Sequence, residues 1–332
     1  MACYAGVDLG ATNCRAVVAV DGEPRGREER PTPRGPNGAA VADAVLETLR
    51  GACAAAGVAP TDVEAVGIGS IGPLDLAAGT VERPANLPDR IETIPLVGPI
   101  GELARLDAHD VYLYNDTDAG VIGERFHATE SPDDMVYLTI SSGIGAGVAV
   151  DGHVLRGWDG NAGEVGHTVV DPRGRRTCGC GHDGHWEAYC SGANLPRYAR
   201  LLATEAGGVD TALALDGEES DDGLDAADVF ARAREGEEFA EHVVERVARL
   251  NAIGVANVVH AYAPLVVAVG GAVALENPEL VVEPIRERLP GLVMANVPEV
   301  RPTALGADAV LRGALAGALT GGTGDPADRP ER

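Results

Sequence analysis

Apolar positions fall into two rhythms along the chain. Val41, Val45, Leu49 and Cys53 share one face of a helix that Gly57 can end. Val243, Val247, Leu250 and Gly254 mark a second helix face in the same way. Between such stripes lie short apolar runs of strand length, at 63–69, 111–115 and 265–269. The run at 111–115 leads into a helix over 117–127. The run at 265–269 is closed by Gly270-Gly271, with a helix beginning near Pro278. A last helix is expected over about 307–319, and the acidic, weakly periodic stretch 207–225 reads as a surface loop or insertion. Alternating strands and helices predict an α/β fold.

Within that alternation the chain repeats itself. Residues 7–22 read VDLGATNCRAVVAVDG and residues 137–152 read YLTISSGIGAGVAVDG. Both start as an apolar strand, pass a turn of glycine and small polar residues, and return as a Val/Ala strand ending in VAVDG. Each predicts a β-hairpin, and two hairpins of one design predict two similar domains. A length of 332 residues agrees with two domains.

Composition narrows the possibilities. Hydrophobic residues make up 45 % but aromatic ones only 4 %, so the cores must rest on Ala, Val, Leu and Ile. The net charge is −25, and every one of the 26 basic residues is arginine. Such a surface repels nucleic acid and anionic lipid. Because the acid is spread along the whole chain, it reads as solvation for a salt-rich cytoplasm, a halophilic trait, rather than as a docking patch. No membrane span or signal peptide is apparent, which predicts a cytoplasmic protein. Cys178, Cys180 and Cys190 cluster in a way that suits a metal site better than a disulfide framework.

The candidate chemistry lies at the turns. Gly10 and Thr12 in the first hairpin, and Ser142 and Gly143 in the second, allow backbone N–H groups to approach phosphate oxygens, and Asp8 could hold a water on Mg²⁺. Asn115-Asp116 follows a strand and precedes a helix, where α/β sheets place their sites. Asp116 could there accept a proton from an attacking hydroxyl, although a carboxylate at that position could equally cap the helix. His167, Cys178, Cys180 and His185 form a mixed set that tetrahedral zinc accepts, with His182 or Cys190 as alternatives to His185. Glu187 beyond that loop and Asn86 are polar groups suited to sugar hydroxyls. Gly270-Gly271 lets backbone approach a nucleotide.

Together these motifs resemble the ROK group of repressors, open reading frames and kinases, from about residue 4 to residue 319. Asp8-Leu-Gly10-Ala-Thr12 and Ser141-Ser-Gly-Ile-Gly145 look like its two phosphate loops, and Asn115-Asp116 looks like its pair containing the catalytic base. Glu164-Val-Gly-His167 matches its Glu-x-Gly-His motif, and Cys178-Gly-Cys180 onward resembles its zinc motif followed by a sugar-binding glutamate. Two positions depart from the pattern: His185 stands for a zinc-loop cysteine and Ala11 for a glycine.

The resemblance implies two actin-like (ribonuclease H-like) ATPase domains flanking a cleft. The N-terminal one would be 1–116, completed by a helix at about 305–320; the larger would be 117–304 with a zinc loop at 167–187, followed by a disordered tail at 321–332. It implies an ATP- and Mg²⁺-dependent kinase for the terminal hydroxyl of a hexose, glucose foremost, with Asp116 as base and structural Zn²⁺. Asn86, Asn115, Glu164, His167 and Glu187 would hold the sugar, while Asp8, Gly10, Thr12, Ser142, Gly143, Gly270 and Gly271 would hold the nucleotide. A homodimer or tetramer is implied as well. The alternatives are a kinase for fructose, mannose or N-acetylmannosamine, and a sugar-sensing regulator without catalysis. The family's repressors carry an extra DNA-binding domain before the first phosphate loop, and here that loop begins at Asp8. The acidic charge also disfavours duplex binding.

Overall fold

The computed structural model describes every residue except 85–86, 89, 129–131, 216–222, 295 and 330–332. Strands β1 (Cys3–Leu9) and β2 (Asn13–Val20) form the first hairpin, followed by β3 (Glu23–Pro31) and α1 (Gly38–Ala56). β4 (Ala65–Ser70) precedes three short strands, β5 (Leu74–Asp75), β6 (Thr80–Glu82) and β7 (Thr93–Pro95). α2 (Val97–Ala104) leads to β8 (Val111–Asn115) and α3 (Asp116–His127). The second hairpin is β9 (Met135–Ile140) with β10 (Ile144–Val150), and β11 (His153–Val154) follows. Four helices come next: α4 (Glu187–Cys190), α5 (Leu195–Glu205), α6 (Ala226–Arg234) and α7 (Glu238–Tyr262). The chain closes with β12 (Val266–Gly270), α8 (Ala272–Glu276), α9 (Pro278–Arg288), β13 (Glu299–Pro302) and α10 (Ala309–Leu319).

The sequence echo is an echo of topology. One five-stranded sheet runs β3-β2-β1-β4-β8 and another runs β11-β10-β9-β12-β13. In both, the hairpin strands come third, second, first, and two later strands are added beside the first. The shared Asp-Gly pairs turn both chains alike: Asp21 and Gly22 have φ of 51° and 80°, and Asp151 and Gly152 have 49° and 78°. Positive φ at both central residues is the turn that matches strand twist, and Asp-Gly is its favoured sequence. β5, β6 and β7 make a separate small sheet.

By compactness the chain divides into two units. The first comprises Met1–Tyr137, Gly147–Gly163 and Ala307–Arg332, and the second Leu138–Ala146 and Glu164–Gly306. In the first unit, the predicted α1 face is buried in one core with Val7, Leu9, Val66 and Ile68. Each such side chain contributes roughly 1.5–3 kcal/mol when fully buried. The Asn37 side chain caps α1 by accepting from Ala40 N–H, and Gly57 ends it in a left-handed conformation.

In the first unit, α10 rests on the sheet at glycines. A Cβ on Gly67 would lie 1.8 Å from the Ala314 carbonyl oxygen, and one on Gly313 would lie 1.6 Å from that of Ala119 in α3. This backbone-to-backbone packing places α3 in the first unit, whereas the sequence had suggested that the second domain begins at 117. α3 also buries Arg125, whose charge is satisfied by the carbonyls of Pro132 and Gly152 at 3.1 and 2.6 Å. In the tail expected to be disordered from 321, residues 321–329 make contacts within the first unit. Tyr114 Oη donates to the Gly322 carbonyl at 3.0 Å, and the Arg329 guanidinium lies 3.8 Å from the centroid of the Phe126 ring. Sequence composition misses these because both anchors are distant aromatic side chains.

In the second unit, β12 pairs in parallel with β13. Trp186 is fully buried and donates to Asn251 of α7 at 2.8 Å. Within 207–225, α6 begins at an Asp225 capping box, and residues 216–222 lie outside the described residues. No helix among the described residues is long and apolar enough to cross a membrane.

Gly313→Ala tests the glycine contact. Alanine ordinarily gains about 1 kcal/mol over glycine inside a helix. Overpacking costs about 1–3 kcal/mol, and backbone cannot move aside as a side chain can. The expected outcome is a lower apparent melting temperature by several degrees. A melting temperature equal to or above wild type contradicts it.

Candidate active site

In the first unit the site follows from strand register. β1 pairs in parallel with β4, setting Leu9 opposite Ser70, and β4 pairs in parallel with β8, setting Ser70 opposite Asn115. The carboxyl ends of all three strands therefore lie along one edge. Asp8, Gly10 and Thr12 leave that edge at β1, while Asn115 and Asp116 leave it two strands away, about 10 Å at the usual strand spacing. Gly10 N–H donates to the Asn13 carbonyl at 3.0 Å, and Thr32 Oγ1 donates to the Gly10 carbonyl at 2.7 Å, which fixes the turn.

Asn115, not Asp116, is the helix cap: its Oδ1 accepts from Thr117 N–H at 3.0 Å and from Thr117 Oγ1 at 2.9 Å. Asp116 is thus the first residue of α3, a place where the helix dipole favours a carboxylate. Its Oδ1 also accepts from Thr117 N–H, at 2.8 Å.

Asp8 is 4 % exposed. Burial raises its carboxyl above the usual range, while the charge and hydrogen bond of Arg15 pull the other way. Arg15 is its direct cross-strand partner and donates to Oδ2. Among the described residues, Oδ1 accepts no hydrogen bond.

In the second unit, three further segments meet at the second hairpin turn. Ser141 N–H donates to the Gly143 carbonyl at 2.9 Å, and Gly192 N–H donates to the Ser141 carbonyl at 2.7 Å. Gly271 (φ 86°) packs where any Cβ would lie 2.4 Å from the Ile140 carbonyl oxygen. Ser142, Gly143, Gly270 and Gly271 are therefore gathered. Gly192, which sequence reading missed, joins them; its signal was a glycine two residues after Cys190.

Glu187 opens α4, and its Oε2 accepts from Ile144 N–H at 2.9 Å, tying that helix to the hairpin turn. His167 ends a 3₁₀ turn and presents Nε2 to Glu164 Oε2 at 3.7 Å. Its Nδ1 lies 3.6 Å from Cys178 Sγ, and Cys180 Sγ lies 3.2 Å from His185 Nδ1. Ligand atoms of His167, Cys178, Cys180 and His185 all fall within 4.8 Å of one another. Neighbouring ligands of tetrahedral zinc are about 3.3–3.8 Å apart, from bond lengths of 2.0–2.3 Å.

Cys190 is not among these ligands: it is fully buried and its thiol points at the Val247 carbonyl, 3.7 Å away. His182 Nδ1 stands 3.7 Å from Cys180 Sγ and its ring stacks on His185, outside the group of four. The loop folds on its own hydrogen bonds, Cys178 N–H to the His182 carbonyl at 2.8 Å and Gly181 N–H to the Cys178 carbonyl at 2.9 Å. Nearby, burial works against the Asp171 carboxylate, but bonds from Arg175 Nε (2.7 Å) and Tyr189 Oη (3.1 Å) hold it below the usual range. Asn86, a candidate sugar ligand, lies outside the described residues.

Two mixed sheets of one topology, each with a glycine turn at its hairpin, define an α/β class of protein. The ROK family model matches residues 4–320. A glucokinase of Pyrobaculum calidifontis is 36 % identical over 321 residues, covering 95 % of each chain. An N-acetylmannosamine kinase of Escherichia coli is 34 % identical over 273 residues, covering 81 % of this chain and 82 % of its own. A ROK glucokinase from Streptomyces griseus, solved with glucose and AMPPNP, is 33 % identical with a TM-score of 0.73, covering 94 % of this chain and 98 % of its own. The chain belongs to the ROK family.

Proposed function

We propose that this protein phosphorylates glucose at its terminal hydroxyl, using ATP. The observation that carries the reading is the placement of Asp116 at the head of α3, in register with the glycine turn after β1. Kinship supports the same activity, through the similarity to glucokinases. The two sheets of one topology fit two actin-like domains.

Asp116 takes the proton of the attacking hydroxyl as its oxygen bonds to the transferred phosphoryl group. With Asn115 engaged through Oδ1, its amide nitrogen is left to orient the sugar. Glu164 and His167 Nε2 accept or donate to sugar hydroxyls. Glu187 does so while its Oε2 steadies the second turn. With Gly10 closing the first turn on the Asn13 carbonyl, the amides of Thr12, Ser142 and Gly143 cradle phosphate oxygens, and Gly270-Gly271 admits the nucleoside. The donor chemistry fits: Gly143 has no side chain where a Cβ would lie 2.7 Å from Glu187 Oε2, and Asp8 offers a buried carboxylate. When bound, Mg²⁺ neutralises charge developing on the phosphates.

The two-sulfur, two-nitrogen set of His167, Cys178, Cys180 and His185 fits zinc held for structure. Burial pushes the Cys178 thiol up to about 11, and a bound cation would hold it as the thiolate. The ion would fix His167 through Nδ1 and leave Nε2 facing Glu164. A second reading keeps the mechanism and changes the sugar, to N-acetylmannosamine; the E. coli relative motivates it.

ADP release with Mg·ATP at high KCl, over a panel of hexoses and amino sugars, separates the two readings. Glucose should exceed every other sugar, and dominance of N-acetylmannosamine would select the second. Asp116→Ala should lower kcat by about 10²–10⁴-fold while glucose still binds within a few-fold; activity near wild type contradicts the role of Asp116. Chelating the metal should lower the melting temperature and weaken glucose binding, and a metal-free protein unchanged in both contradicts the structural role.

A further inference from the structure

Asp8 begins a line of alternating charges in the first unit. Arg15 donates from Nη2 to Asp8 Oδ2. Its other arm, Nη1, donates to the Ala307 carbonyl at 2.8 Å and stands 3.5 Å from Asp308 Oδ1. Asp308 is gripped in turn by both arms of Arg27, at 2.7 and 2.8 Å. Side-chain exposure rises along the line, from 5 % at Asp8 through 19 % and 26 % to 47 % at Arg27.

An arginine facing a carboxylate ordinarily closes on it with two parallel hydrogen bonds. Arg15 does not. Its arms are split between Asp8 on one side and the turn before α10 on the other. Among the described residues the split engages Asp8 through Oδ2 and gives Oδ1 no donor. Asp308 is well suited to hold the second arm, because the Arg27 bonds keep its carboxyl below the usual range. Removing that charge leaves Nη1 only the Ala307 carbonyl, and the buried anion of Asp8 becomes the stronger competitor for it.

We propose that Asp308, at the start of α10, is a positioning residue for Mg·nucleotide: it holds Arg15 open so that Asp8 Oδ1 can accept from a water on the metal. The inference rests on the kinase reading for the identity of the ligand. In this account the C-terminal helix does more than pack. It brings the Asp308 carboxylate to Arg15 from the far end of the sequence.

The test is binding, not turnover. Calorimetry with Mg·AMPPNP on the full-length protein should show Asp308→Asn about tenfold weaker than wild type, with a raised Mg²⁺ requirement and glucose affinity within twofold. Asp308→Glu should recover part of the loss. Unchanged Mg·AMPPNP affinity in Asp308→Asn overturns the proposal, even if its melting temperature falls. If that variant fails to fold, Arg27→Gln carries the test: a weaker Mg·AMPPNP affinity supports the proposal and an unchanged one overturns it. Wild-type protein that binds no Mg·nucleotide would instead refute the kinase reading on which the inference rests.

Discussion

Parallel pairing of β1, β4 and β8 in a single register is the constraint on which the chemistry of the first unit depends. Side chains alternate faces along a strand, so a slip of one residue would turn every buried side chain of the slipped strand to the opposite face. Here the register is secured from both sides of the sheet. Val7, Leu9, Val66 and Ile68 face the α1 core. On the other side Gly6 and Gly67 admit α10 against bare backbone. Once Leu9, Ser70 and Asn115 are aligned, the turn carrying Asp8 and the helix headed by Asp116 emerge at one edge with no further instruction.

The same economy governs the second unit by other means. Its glycine turn is fixed by Ile144 N–H on Glu187, and by Gly192 and Gly271 packed against the end of β9. Glu187 follows directly on His185 and Trp186. The short stretch from the Cys/His group to α4 therefore couples three things: four side chains that gather around one point, a fully buried indole anchored to α7, and the second hairpin turn. A disturbance of the Cys/His group would reach the turn through Glu187.

Much of this was legible in the sequence. The hairpin echo at 7–22 and 137–152 announced the two sheets, because Asp-Gly encodes the turn directly and alternating Val/Ala encodes strands. The α1 face, β8, and the gathering of His167, Cys178, Cys180 and His185 were readable for the same reason: each is a local pattern. What could not be read is non-local. Arg125, Asp308 and the tail segment ending at Arg329 take their roles from partners far along the chain. Glycines such as Gly67 and Gly313 look like ordinary small residues until a helix is laid on them. The domain boundary was misplaced at 117 because α3 belongs with α10 through those glycines. Asn115 appeared only as a candidate ligand, yet it is also the N-cap of α3.

Product identity tests the central claim most directly. Protein incubated with glucose and Mg·ATP should yield ADP and glucose 6-phosphate in equal amounts, with the new phosphate coupled to the C6 protons in the NMR spectrum. ADP formed without a sugar phosphate, or phosphate on any other carbon, would contradict the assignment of Asp116 as the base for a terminal hydroxyl.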